Sequence, residues 1–119
     1  VKGISHAATV NQACRFYYQL ATGRLISQQA SREMLALLAD PAIEHKFVKP
    51  LLRRAPGARL YRKSGTWRRW HADSVLVWGP EWRRYILVAM VESPRGEHIL
   101  RDLVPAVEGV LQADADPFE

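Results

Sequence analysis

The chain has 119 residues, 48 % of them hydrophobic, enough for one domain with its own core. No apolar run approaches the roughly 20 residues of a membrane span, and no signal-peptide pattern opens the sequence. The formal net charge is +5, and between Glu44 and Asp73 stand nine Lys or Arg residues with no acidic one, a field that selects anionic partners without choosing among nucleic acid, a carboxylate substrate and an acidic surface.

No internal repeat, low-complexity segment or Gly/Ser-rich linker divides the chain. Thr9 precedes a first helix whose Val10, Ala13, Cys14, Tyr17, Leu20 and Ala21 draw one stripe at spacings of three and four. Gly23 suits the position just past its end, because glycine takes positive φ without a Cβ penalty. Cys14 has no second cysteine to pair with, and among Ala13, Phe16 and Tyr17 it reads as a buried thiol. A second helix is expected from Ser27 or Ser31, with Ala30, Met34, Leu37 and Leu38 inward. Asp40-Pro41 should end it and open a short third helix that buries Ile43 and Phe47. Pro50 to Gly57 reads as irregular chain closed by a Pro-Gly turn.

The period then changes from helical to alternating. Ala58, Leu60 and Arg62 alternate with Arg59, Tyr61 and Lys63, as in a strand with two different faces. Ser74–Trp78 is a second strand, Gly79-Pro80-Glu81 its turn, and Tyr85–Val91 a third, apolar throughout and so expected to be buried on both faces. Short connections make the three antiparallel neighbours, with the second in the middle. Ile99, Leu100, Leu103, Val104, Val107, Val110 and Leu111 outline a closing amphipathic helix that Pro105 should kink. The reading is an α+β domain: a helical segment over 1–50, a three-stranded antiparallel meander over 58–91 and a C-terminal helix over 95–112 packed on it. The meander looks under-covered, with one long helix for two faces and no neighbour for an apolar strand.

The stretches "TVNQACRFYYQLATGRLISQQASREMLALL" and "ARLYRKSGT", followed by two more strands and a last helix, resemble the C-terminal half of class A β-lactamases and related penicillin-recognising serine hydrolases. The likeness covers nearly the whole chain and implies a partial fold of that family. Of the family's three signatures, S-x-x-K, S-D-N and K-T-G, the third alone is present, as Lys63-Ser64-Gly65. None of the six serines has a lysine three places on. The resemblance therefore implies that nucleophile, its lysine and the deacylating base lie upstream, with two strands that would complete the sheet. The 119 residues alone are then expected to be inactive, partnered by an N-terminal half or by a second copy.

By the same resemblance, Lys63 holds a substrate carboxylate, Ser64 donates a hydrogen bond to it, and Gly65 lets a ligand lie against the strand. The backbone N–H of Thr66 is implied as an oxyanion donor. "TWRRWHADS" departs from the family's small residues, so Trp67 either reshapes the substrate cleft or joins Trp70 in packing on the sheet edge. The substrate implied is a β-lactam or a cell-wall-peptide-like carboxylate, with no cofactor or metal, no nucleic acid, and a periplasmic or secreted location. His71-Ala-Asp73 reads as a polar pair entering the second strand, since one His and one carboxylate make no metal site. The other function considered is a small basic nucleic-acid-binding module, with Tyr61, Trp67 and Trp70 as stacking surfaces along the 46–69 block.

Overall fold

The computed structural model describes residues 8–115. Four helices and three strands follow in the order α1 (Val10–Ala21), α2 (Gln28–Leu38), α3 (Val48–Arg54), β1 (Arg59–Trp67), β2 (Trp70–Trp78), β3 (Arg84–Glu92) and α4 (Gly96–Ala115). The fold is α+β, as the change of period predicts. Thr9 caps α1 through a reciprocal pair of bonds: its hydroxyl accepts from the Gln12 N–H, and the Gln12 side chain accepts from the Thr9 N–H. Gly23 follows the end of α1 at φ +70°. Ser27, not Ser31, caps α2. Ser31 is buried within the helix and holds the preceding turn through both backbone groups of Leu25.

The three strands form one antiparallel sheet in the order β1-β2-β3, with β2 central. On one face, Leu60, Val75 and Val77 join Phe47, Val48, Leu51, Leu100 and Val104 in the core, so α3 and α4 cover that side. The opposite face is also covered: α1 lies against β2 and β3, α2 against β1, and Tyr17 reaches Ser74. The expectation of an under-covered sheet is therefore corrected as to its faces. Burial of β3 is partial rather than complete, and Met90 is exposed. A terminal strand has a neighbour on one side, and among the described residues β3 pairs with β2 alone.

Three further expectations are corrected. No helix starts at Pro41, because Asp40 and Lys46 both take left-handed backbone (φ 52°) and break the chain between them. The third helix is α3, and Pro50 sits in its first turn, where a missing N–H costs nothing. Phe47 is buried as expected, but Ile43 and Leu37 are exposed. The second strand begins four residues early, at Trp70, because Trp67 pairs with Trp70 across a two-residue turn at Arg68-Arg69, Arg68 having φ 56°. In α4 the buried line is Leu100, Val104 and Glu108, while Ile99 and Val110 face outward. The helix continues through Pro105.

Candidate functional site

Side chains alternate along a strand, so β1 deals the Lys63–Trp67 stretch to two sides. Lys63, Gly65 and Trp67 share the face of α1. Ser64 and Thr66 share the core face with Leu60 and Arg62. Lys63 is exposed, and its carbonyl accepts a 2.7 Å hydrogen bond from the Ser74 hydroxyl. That commits the one hydroxyl hydrogen of Ser74, so Tyr17, 2.9 Å away, is the donor to Ser74. Burial pushes the Tyr17 phenol above its ordinary 10.0, against the opposing effect of the Ser74 bond, and so keeps the donor protonated. A cavity of about 690 Å³ opens beside this chain of bonds, lined by Gln12, Arg15, Phe16, Tyr17, Leu38, Lys63 and Ser74. That is the size of a small-molecule site.

Among the described residues, the outer edge of β1 is closed at its start and open at the box. Asp40 N–H donates to the Leu60 carbonyl at 3.2 Å, and Ala39 bridges to Tyr61. The Leu60 carbonyl therefore points away from β2, and with a period of two so do the backbone groups of Arg62, Ser64 and Thr66. The Thr66 N–H thus faces outward along the edge. A methyl group placed on Gly65 would meet nothing within 4 Å among the described residues. Since Lys63 and Ser64 point to opposite faces, one ligand meets both by lying along the edge between them. Trp67 is 66 % exposed, with the Arg68 guanidinium 4.5 Å over its ring, and Trp70 is half exposed. Both border a second hollow of about 310 Å³ that also touches Gly65, Thr66 and Met90.

Directly beneath the box, on the core face, lies a group that the sequence reading spread over a surface patch. Arg62 grips Asp73 with two bonds, Nε to Oδ1 at 2.8 Å and Nη2 to Oδ2 at 3.0 Å. Its remaining donors reach the carbonyls of Ile43 and His45 and the ring Nδ1 of His45. Asp73 also accepts from the N–H groups of Phe47 and Ser74. Lys46 Nζ donates to the Gly65 carbonyl (2.9 Å), the Thr66 hydroxyl (2.8 Å) and the Ala72 carbonyl (3.1 Å). Burial first, then the charges of Arg62 and Lys46, hold His45 below its ordinary 6.5. The ring stays neutral, with Nδ1 free to accept from Arg62.

Two of the nine cations of the basic block, Lys46 and Arg62, are therefore withdrawn from the surface, which weakens the field on which a nucleic-acid module would depend. Alternation carried a signal for Arg62 and Asp73, since they share a face with Leu60 and with Val75 and Val77. Lys46, on irregular chain, left none. The expected His71–Asp73 polar pair is corrected as well. Asp73 is buried and committed to Arg62. The His71 ring lies against Gly96, where any Cβ would collide with it, and its Nδ1 is buried without a partner among the described residues. Among those residues no three His, Cys, Asp or Glu side chains gather as a metal site, and no helix is long and apolar enough to cross a membrane.

Among the described residues, fold and geometry together define an α+β protein with an open strand edge, an exposed cation without an ion-pair partner beside a cavity, and an uncrowded glycine position between that cation and an aromatic pair. The chain matches the Beta-lactamase2 family, described as a β-lactamase enzyme family, over residues 2–107. The match runs from before α1 into α4, and the chain belongs to that family, a β-lactamase-like group of hydrolases. No curated protein and no solved structure matches it.

Proposed function

We propose that the chain forms the carboxylate-binding side of a penicillin-recognising serine hydrolase of the class A kind, acting on a β-lactam or a related cell-wall-peptide amide. The observation that carries this reading is the placement of Lys63. It is an exposed cation on an edge open among the described residues, beside a cavity of about 690 Å³ and two residues from the uncrowded position at Gly65. In this role Lys63 attracts the substrate carboxylate and the Ser64 hydroxyl donates to it from the other side of the edge. Gly65 lets the substrate lie flat on β1, and Trp67 narrows the far end of the cleft.

The reacting serine belongs to a part of the enzyme outside these 119 residues, since none of the six serines here has the lysine the chemistry needs. Its oxygen forms a bond to the amide carbon and places negative charge on the carbonyl oxygen. The Thr66 N–H meets that charge, and one such aligned donor contributes about 3 kcal/mol to the transition state. Collapse breaks the C–N bond, the nitrogen takes up a proton, and water then releases the acyl group from serine. The reading requires no cofactor. It places the enzyme in the periplasm or outside the cell, with an N-terminal half or a second copy pairing at β3.

The test uses a chromogenic cephalosporin and a labelled penicillin. The 119-residue chain alone is expected to give neither turnover nor a covalent adduct by intact mass. In the enzyme that also supplies the serine, Lys63→Ala should lower kcat/KM by about tenfold or more, equivalent to about 1.4 kcal/mol. A stoichiometric adduct on Ser64 would make that residue a nucleophile rather than a binder and would overturn the assignment.

A further inference from the structure

Lys46 is the more deeply buried of the two lysines near the box, at 1 % exposure, and among the described residues no carboxylate lies within ion-pair distance of it. Its ammonium has three hydrogens and three neutral oxygens receive them: Gly65 O, Thr66 Oγ1 and Ala72 O. A buried charge and a left-handed non-glycine backbone are both unfavourable, and an apolar side chain would fill the space with neither the charge nor its desolvation.

The peptide plane explains the arrangement. The Gly65 carbonyl and the Thr66 N–H belong to one planar trans amide and point in opposite directions. A bond that fixes the carbonyl toward β2 therefore aims the N–H at the open edge. Glycine leaves this plane unusually free to rotate, so the unit most in need of restraint is the one that Lys46 holds. The bond to the Thr66 hydroxyl fixes the next residue, and the bond to Ala72 O ties both to the central strand. A cation on the carbonyl also polarises the amide and makes its N–H a stronger donor. We propose that Lys46 is a positioning residue of the acyl site, orienting and polarising the Gly65–Thr66 peptide from the sheet face opposite Lys63. This rests on the reading of the Lys63–Thr66 edge as a substrate edge.

The test compares the wild-type chain with Lys46→Met, Thr66→Val and Lys63→Met, using phenylacetylglycine as an acyl-amide carboxylate probe and backbone NMR as the readout. In Lys46→Met the Gly65 and Ala72 amides should exchange about tenfold faster or more, while Val75 and Val77 keep their wild-type rates. Probe affinity should fall about fivefold or more. Thr66→Val removes one acceptor at an exposed position and should show the same two changes at about half the size on a logarithmic scale, which serves if Lys46→Met fails to fold. Probe binding that needs Lys63 but survives both Lys46→Met and Thr66→Val overturns the positioning role alone. Uniform acceleration of all amides overturns it too, by reducing Lys46 to general stability. A wild-type chain that binds no probe, or binds it equally after Lys63→Met, sinks the carboxylate reading and the role of Lys46 within it.

Discussion

Two clusters of buried charge lie on the core face of the sheet, and each holds one carboxylate near two cations. Toward the β2–β3 turn, Glu108 of α4 accepts from Arg54 of α3, from Arg83 and from the Tyr85 hydroxyl. Under the box, Asp73 holds Arg62, with Lys46 beside it. Their cations differ. The side chains of Arg54 and Arg83 keep 35 % and 25 % exposure and so stay partly hydrated, whereas that of Arg62 keeps 5 % and Lys46 is buried. The Glu108 cluster needs its arginines only to join α4 to α3 and to the β2–β3 turn, and can leave them at the surface. The Asp73 cluster must fix the irregular 43–47 segment and the box from within, and bears two desolvated cations to do so. The energetically less favourable arrangement is the one next to the candidate site.

The largest expected effect follows from that difference. Asp73→Ala leaves Arg62 buried without its carboxylate and the Phe47 N–H without its acceptor. Breaking a buried pair from one side costs about 3–5 kcal/mol, a large part of the roughly 5–15 kcal/mol of an ordinary domain. Urea unfolding should show this loss. A loss under 1 kcal/mol would mean that Arg62 is rescued by solvent and that the two clusters are alike.

Glu108→Gln should cost less, about 1.5–3 kcal/mol, because its arginines can turn to water. Its pH dependence sharpens the contrast. Burial pushes the Glu108 carboxyl up, but hydrogen bonds from Arg54, Arg83 and Tyr85 outweigh burial and hold it below its ordinary 4.5. A depressed carboxyl contributes stability above pH 4.5 that is lost as pH falls through its folded value. The wild type should therefore lose stability below pH 4.5 more steeply than Glu108→Gln does, as thermal melts across pH 3 to 6 would read.

How much of this was legible depends on whether a residue's type agreed with its place. Capping at Thr9, Gly23 beyond α1 and the alternation of β1 all agree with their surroundings, and those elements stand where the sequence puts them. Pro50 and Glu108 do not. A proline read as a break hid α3, although the first turn of a helix tolerates it. Counting apolar residues alone left Glu108 out of the inward line of α4, which runs through Leu100 and Val104 and ends in a charge. The Arg68-Arg69 turn hid for the same reason, having neither glycine nor asparagine to announce a left-handed residue. At the site, the Lys63–Trp67 stretch was legible as a motif. Of the group beneath it, Lys46 on irregular chain was not legible, and alternation showed the face of Arg62 and Asp73 but not their partners, which lie 11 to 26 positions away in the chain.

Tyr85→Phe tests the Glu108 cluster from its neutral member. Burial, then the bond to Glu108 and the charge of that carboxylate, push the Tyr85 phenol far above its ordinary 10.0. At neutral pH the loss of one hydrogen bond to a charged partner should cost about 1.5 kcal/mol. A raised phenol contributes stability that is complete below pH 10 and lost as pH rises through the folded value. Wild type should therefore weaken above pH 10 more steeply than Tyr85→Phe, in which the raised Tyr17 phenol still contributes to the slope. Parallel curves would show that the hydroxyl is not coupled to folding.

The smallest effect on the fold should accompany a large one on the site. Gly65 stands in a regular strand, with no φ in the left-handed region and no atom within 4 Å of where a Cβ would be. Neither conformation nor packing among the described residues demands glycine there, and a glycine within a strand is destabilising by roughly 0.5–1 kcal/mol relative to alanine. Gly65→Ala should thus leave stability unchanged or raise it by about that amount. The new methyl group would stand on the face of Lys63 and Trp67, where a ligand laid against β1 must pass. Phenylacetylglycine affinity should fall about tenfold or more while the midpoint of urea unfolding stays level or rises. A fall in stability would mean that the fold itself needs glycine at this position. Undiminished binding would mean that the ligand reaches Lys63 from the cavity beside Tyr17 without touching the strand, and the edge geometry assigned to Ser64 and Thr66 would have to be given up.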